Sequence, residues 1–287
     1  MKNTLLITLL IFLCLPSIAQ KLIPLSNVPE DWSKPYPPFR IAGNLYYVGT
    51  YDLACYLITT PKGDILINTG SRGSASMIQS NVEALGFKFS DIKILLATHA
   101  HYDHVGAMAE VKKLTHAKMM IEASDAKVLA DGGNSDYIFG GKGMLFAPVK
   151  ADRLLHDHDT VSLGGMHIVV LHHPGHTKGA SSFLFYVKDS LHTYRVLIAN
   201  MPSILDETKL PSMPTYPNVG KDYAYTLKAM RGLHFDIWLS SHASQFDLHE
   251  KHKPGDPYNP EAFRDRKGYD AALDKLEKDY EKKLNKK

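Results

Sequence analysis

With 287 residues, 44% of them apolar and 22% charged, the chain has the length and composition of one large globular domain rather than a disordered or low-complexity protein. The formal net charge is +3, and residues 266–287 alone carry eight basic and five acidic side chains, which accounts for the whole excess. No basic surface for nucleic acid is expected.

The first residues read Met1-Lys2-Asn3, then an apolar run over 5–15, then Pro16-Ser17-Ile18-Ala19, the basic, hydrophobic and small-residue order of a secretory signal peptide. The run falls short of the ~20 apolar residues that a spanning helix needs. Cleavage after Ala19 is therefore expected, leaving residues 20–287 as one mature domain without membrane attachment, periplasmic or secreted. Cys14 would leave with the signal. Cys55, in the apolar stretch 53–58, then has no cysteine to pair with and reads as a buried, inert thiol.

After a proline-rich start, short apolar runs at 45–48, 54–58 and 65–67, separated by Gly49 and by Pro61-Lys62-Gly63, predict an antiparallel meander. The pattern then lengthens into a helix over 74–85, a strand over 92–97, a helix from about 103 to 114 and a strand over 118–121. A second series follows, with strands at 161–163, 167–171, 181–187 and 194–198, a helix over 223–231 and a strand over 237–240. A meander giving way to strand–helix alternation, twice over, predicts an α/β protein of αββα sandwich type: two mixed sheets face to face with helices outside. Tyr269, Leu273, Leu276, Tyr280 and Leu284 recur every three or four residues, so the chain closes on an amphipathic helix packed on the core, with its lysines in solvent.

The strand at 92–97 runs into Thr98-His99-Ala100-His101-Tyr102-Asp103-His104. In extended chain, alternate residues share a face, so His99 and His101 can grip one ion, while the turn into helix sends Asp103 and His104 in a new direction. Carboxyl ends of strands are where α/β sheets place their sites. Zinc needs four or more ligands, of which catalytic sites leave one to water. His176, in Pro174-Gly175-His176-Thr177, and His242, in Ser240-Ser241-His242, each follow an apolar strand and can join the cluster. The remaining members of the 15 histidines read otherwise. His156 and His158 lie in a charged turn, His172 and His173 flank Pro174-Gly175, and the rest have no converging partners.

These residues resemble the metallo-β-lactamase superfamily, and a site without a zinc-ligand cysteine resembles its subclass B3. Gly132-Gly133-Asn134-Ser135-Asp136, the stretch 240–246 and Pro254-Gly255-Asp256-Pro257-Tyr258-Asn259-Pro260 also resemble segments of that subclass. Ala199-Asn200-Met201-Pro202-Ser203 is similar to the GOB-type group, which carries Met where most relatives have Ser. That group replaces the first histidine of the cluster by Gln, whereas this chain keeps His99. The resemblance implies two Zn2+, one on His99, His101 and His176 and the other on Asp103, His104 and His242.

The same resemblance implies a β-lactamase, opening penicillins, cephalosporins and carbapenems by a hydroxide generated on the metals, with Asp103 orienting the nucleophile. The alternative is an exported thioesterase or lactonase. Such superfamily members place a bridging Asp between the third and last histidines, but the matching stretch 196–201 holds no carboxylate, and Asp206 lies five residues beyond Met201. Ser203 matches a serine that binds the substrate carboxylate in relatives, and Met201 would line the pocket floor. The relatives' tyrosine a few residues on has no counterpart in Ile204-Leu205-Asp206. Apolar side chains of 132–146, among them Ile138, Phe139, Met144 and Leu145, are expected to form a wall against substrate. The partner is a small molecule, and a monomer is expected.

Overall fold

A computed structural model describes residues 22–286. The expected signal segment 1–19, with Cys14, lies outside the described residues. Strands β1 (Phe39–Ala42), β2 (Leu45–Tyr47), β3 (Tyr56–Ile58) and β4 (Asp64–Ile67) form an antiparallel meander. Helix α1 (Ala75–Ala84) crosses to β5 (Ile92–Leu96), which runs parallel to β4. Helices α2 (Tyr102–Val105) and α3 (Met108–Thr115) lead to β6 (Lys118–Glu122), and α4 (Ala126–Ala130) precedes β7 (Arg153–Leu155); both strands add in parallel.

The second sheet repeats this plan with fewer strands. β8 (Thr160–Leu163), β9 (Met166–His172), β10 (Ser181–Lys188) and β11 (Thr193–Ala199) are antiparallel, and α5 (Val219–Arg231) crosses to β12 (Ile237–Ser240), parallel to β11. The chain ends in α6 (Leu248–Lys251) and α7 (Arg266–Leu284). Both sheets are mixed, and the αββα sandwich is the observed architecture.

Side-chain alternation divides the core. Ile65 and Ile67 of β4 and Ile94 and Leu96 of β5 join Val170, Phe183 and Phe185 of the second sheet in one buried cluster. Leu66 and Leu95, one residue out of step, turn to the other face and pack with Ile78 of α1 and Val111 of α3. Trp238, Leu227, Met230, Tyr269 and Leu273 extend the first cluster towards α5 and α7. Each such side chain stabilises the fold by about 1.5–3 kcal/mol relative to exposure. α7 begins on a cap, the Asp265 carboxylate accepting from the Gly268 amide at 2.8 Å.

Two differences from the sequence expectation concern local chemistry. β1 and β7 were not expected: each is short, and two of the three residues of β7 are exposed, so no apolar alternation marks them. The helix expected over 103–114 is two helices that break at Gly106. There the turn after β4 passes against the chain, with the Gly106 amide donating to Gly70 O at 2.9 Å and the Thr69 amide to His104 O at 2.8 Å. A Cβ on Gly106 would sit 2.5 Å from Arg72 N and 2.6 Å from Ser71 C, both backbone atoms. The missing side chain lets β4 brace the segment that carries Asp103 and His104. Gly106→Ala should therefore destabilise the protein by about 1–3 kcal/mol, read as a lowered thermal midpoint. An unchanged midpoint would show that the two backbone segments part without cost.

Candidate metal centre

Six side chains from four segments meet at the carboxyl edge of the two sheets. His99 and His101 follow β5, Asp103 and His104 lie in α2, His176 lies in the loop after β9, and His242 follows β12. The rings of His99, His101 and His176 lie pairwise 4.6–4.8 Å apart, that of His104 4.3 Å from His99, and that of His242 5.0 Å from His104. One donor atom from each of His99, His101 and His176 lies within 4.8 Å of the others, and the same holds for His99, Asp103 and His104. Asp103 Oδ2 is 3.2 Å from His104 Nε2 and 3.3 Å from His242 Nε2.

This donor set suits a metal. His99, His101, Asp103, His104 and His176 are all buried, and His99 Nε2 and His104 Nδ1 have no hydrogen-bond partner in the protein. A buried polar atom left unpaired costs free energy, and a cation at the centre of the cluster would satisfy His99 Nε2, while His104 offers the centre its Nε2, the nitrogen beside Asp103. Imidazole and carboxylate donors without thiolate are the usual ligands of catalytic zinc. Cys55 takes no part: it is fully buried in the sheet, and that burial raises its thiol above the ordinary range.

Protonation follows the same geometry. Burial and the neighbouring imidazoles keep His99 well below its ordinary pKa, and burial with the His101 charge takes His176 down to about 3. Both are thus neutral and free to ligate. Burial alone would raise the Asp103 carboxyl, but His104 and His242 outweigh it and hold it well below the carboxylate range. Burial would lower His242, yet Asp103 and Asp52 lift it to about 9.

A second ring of groups, absent from the sequence reading, orients the first. His101 Nε2 donates to Asp136 at 3.2 Å, and the other carboxylate oxygen accepts from the amides of Ile138 (2.8 Å) and Phe139 (2.7 Å). Against the cost of burial, His101 and these amides hold Asp136 down to about 2. His242 Nδ1 donates to Asp52 at 3.0 Å, and Asp52 also accepts from Trp32 Nε1 (3.2 Å) and the Ser244 amide (2.9 Å). His176 Nδ1 donates to the Ser203 carbonyl at 2.8 Å. Each bond leaves the opposite ring nitrogen for the centre. Asp125 ties two ligand loops together, accepting from the Ala100 amide (2.9 Å), Thr177 Oγ1 (2.7 Å) and the Gly179 amide (2.8 Å). Asp136 lies within a motif picked out by resemblance, but no spacing in the sequence pairs it with His101. Asp52 and Asp125 carry no such signal.

The centre opens into a cleft of about 320 Å³, whose walls include Trp32, Tyr102, Phe139, Met201, Ser203 and Leu205. Of the wall expected from residues 132–146, Phe139 reaches the cleft, its ring 5.2 Å from that of His101. Ile138 instead packs with the Tyr137, Tyr216 and Tyr223 cluster. Met144 and Leu145 fold under Gly132 and Gly133, where a Cβ on either glycine would meet them. Tyr216 donates to Asp222 at 2.7 Å, away from the cleft. His156 and His158 are exposed.

The family described as "Metallo-beta-lactamase superfamily" matches residues 50–193. Among solved structures, the chain is 65% identical to a beta-lactamase from Chitinophaga pinensis, with a TM-score of 0.91, over 92% of this chain and 100% of that one. It is 64% identical, with a TM-score of 0.89 and the same coverage, to the class B3 di-zinc metallo-beta-lactamase LRA-12 from an Alaskan soil metagenome. To the metallo-beta-lactamase GOB-18 of Elizabethkingia meningoseptica it is 54% identical, with a TM-score of 0.92, over 94% of this chain and 100% of that one. Among curated proteins, the probable metallo-hydrolase YqgX of Bacillus subtilis is 29% identical over 147 residues, 50% of this chain and 64% of that relative. Hydroxyacylglutathione hydrolase of Rhodopseudomonas palustris is 30% identical over 130 residues, 45% of this chain and 42% of that relative. The chain thus aligns with less than two thirds of the length of these curated relatives. The domain match and the coverage of structures at 54–65% identity make this chain a member of the metallo-β-lactamase superfamily, with class B3 enzymes as its structural neighbours.

Proposed function

We propose that the chain is an exported, zinc-dependent β-lactamase of class B3 that opens the amide of penicillins, cephalosporins and carbapenems and so confers resistance to them. The observation that carries this reading is the thiol-free set of five imidazoles and one carboxylate, all buried except the partly exposed His242, with His99 Nε2 unpartnered in the protein. The likeness to enzymes named as β-lactamases supports it. His99, His101 and His176 would hold one zinc, and Asp103, His104 and His242 a second. Zinc there supplies Lewis acidity, lowering the pKa of water to about 7 and polarising a carbonyl.

The chain's own groups do the rest. Asp103 stays ionised, so it can accept a hydrogen bond from the attacking water, fix its direction and take its proton. As the C–N bond of the ring breaks, the nitrogen takes up a proton and the carbonyl carbon becomes a carboxylate. Trp32 and Phe139 flank the cleft and give it aromatic walls. Ser203 and the buried Met201 line the cleft, where Ser203 would meet the substrate carboxylate and Met201 would pack against its body. Residues 1–19 would direct export, residues 20–287 would form the mature domain as a monomer, and no helix among the described residues is long and apolar enough to cross a membrane. A thioesterase or lactonase is disfavoured because the stretch 196–201 has no carboxylate and Asp206 is exposed, outside the cleft.

Zinc-loaded protein should hydrolyse a chromogenic cephalosporin and leave thioesters and lactones largely untouched. A chelator should abolish that turnover and added zinc restore it. Asp103→Asn should lower kcat by about 10²–10⁴, whereas a variant as active as the parent would remove Asp103 from the mechanism.

The outer carboxylates predict metal affinity. Asp136→Asn and Asp52→Asn should each weaken zinc binding by about 10–100-fold, measured by competition with a chromophoric chelator on protein whose circular dichroism is unchanged. Equal affinity in both variants and the parent would mean that the imidazoles hold their orientation without these bonds.

A further inference from the structure

Residues 200–218, between β11 and α5, carry no helix or strand, although Met201, Ser203 and Leu205 within them line the cleft. Irregular segments of this length in compact domains need other means of holding shape. The start of the loop is tied down by the Ser203 carbonyl, which accepts from His176 Nδ1 at 2.8 Å and from Tyr223 Oη at 3.0 Å. Its next stretch is held from a distant part of the chain. Lys283, in the last turn of α7, donates from Nζ to the carbonyl oxygens of Leu205, Asp206 (3.1 Å) and Thr208 (3.3 Å).

The neighbouring lysines of α7 behave as the sequence suggests: Lys267, Lys275, Lys278 and Lys282 are exposed. Lys283 is half-buried and serves the loop instead. An ammonium group has three donors and no acceptor, so three converging carbonyls match it in number. Hydrogen bonds from a charged donor are also stronger than neutral ones. One turn back, Tyr280 Oη donates to Gly220 O at 3.1 Å, which docks the same face of α7 on the start of α5. Thr208 is buried, with its hydroxyl 3.4 Å from Tyr137 Oη, so this stretch also abuts the loop that carries Phe139.

We propose that Lys283 is a positioning residue for substrate: it clamps residues 205–208 so that Ser203 and Leu205 present one fixed wall to the cleft. The effect on substrate rests on the β-lactam reading given above, while the effect on the loop does not. The Ser203 carbonyl that orients His176 is also held by Tyr223, and Asp136, Asp52 and Asp125 hold the other ligand segments, so the clamp should act on substrate affinity and specificity and leave metal content unchanged. Without it, the wall would sample several arrangements, and substrate would have to select one of them.

Lys283→Cys in a Cys14→Ser background gives a reversible test. The thiolate displaces bromide from 2-bromoethylamine, forming a C–S bond and returning an ammonium at the length of lysine; Cys55, fully buried, is spared. In zinc-loaded K283C, amides of residues 203–209 should exchange hydrogen about tenfold faster than in the parent. KM for a cephalosporin should rise about fivefold or more with kcat within about twofold, the pattern of lost ground-state and transition-state binding together. Zinc content should stay equal to the parent's, and alkylation should reverse both changes. Lys283→Gln, which keeps donors but not the charge, should fall between. The proposal is overturned if exchange and KM in K283C match the parent, if alkylation restores neither, or if zinc content falls with kcat. A parent that opens no cephalosporin would defeat the β-lactam reading alone, because the exchange measurement still decides whether Lys283 holds the loop.

Discussion

Buried imidazole is tolerated only when both ring nitrogens have something to bind. At this centre His99 Nε2 finds nothing in the protein, while Asp103 is closed in with it as an anion. The cost of that arrangement is met by a cation, so the same residues that make the site reactive tie it to metal. The architecture answers this constraint: four segments from two sheets must deliver their side chains to one point within about an ångström, and strand ends braced by the opposite sheet do so better than free loops.

Bracing is carried out largely by carboxylates that touch no substrate. Asp125 links the backbone beside His99 and His101 to the loop after His176. Asp136 joins His101 to the turn that carries Phe139, so one side chain aligns a ligand and a wall of the cleft. Asp52 does the same for His242 and Trp32. Ligand geometry and cleft shape are therefore coupled through single residues, and a change at any of them reaches both.

Much of this was legible in the sequence. The doubled meander-plus-helix pattern predicted two mixed sheets, because period-2 apolar runs with turn residues between them report strand burial directly. The six clustered side chains were found by their positions at the ends of apolar strands, and they do meet in space. What escaped was whatever depends on contact between distant segments. Nothing local marks Asp136 as the partner of His101 or Asp52 as that of His242. Gly106 looks like an ordinary helical glycine until the turn after β4 is laid against it. The wall over 132–146 rests on apolar content alone, and three of its four named side chains pack elsewhere: Met144 and Leu145 beneath the loop, where glycines leave room, and Ile138 against a tyrosine cluster. Lys283 was assigned to solvent with its neighbours, since only the third dimension distinguishes it from Lys282.

The tether between Asp52 and Trp32 also has a spectroscopic consequence. The protein has two tryptophans. Trp238 is wholly enclosed in the core, whereas Trp32 stands partly exposed at the mouth of the cleft, its ring 5.6 Å from that of His242 and 6.0 Å from that of Tyr102. Emission from the two indoles therefore divides into a constant, blue-shifted contribution and one that senses what enters the cleft. The native chain carries its own fluorescent probe of occupancy, with an internal reference in the same molecule.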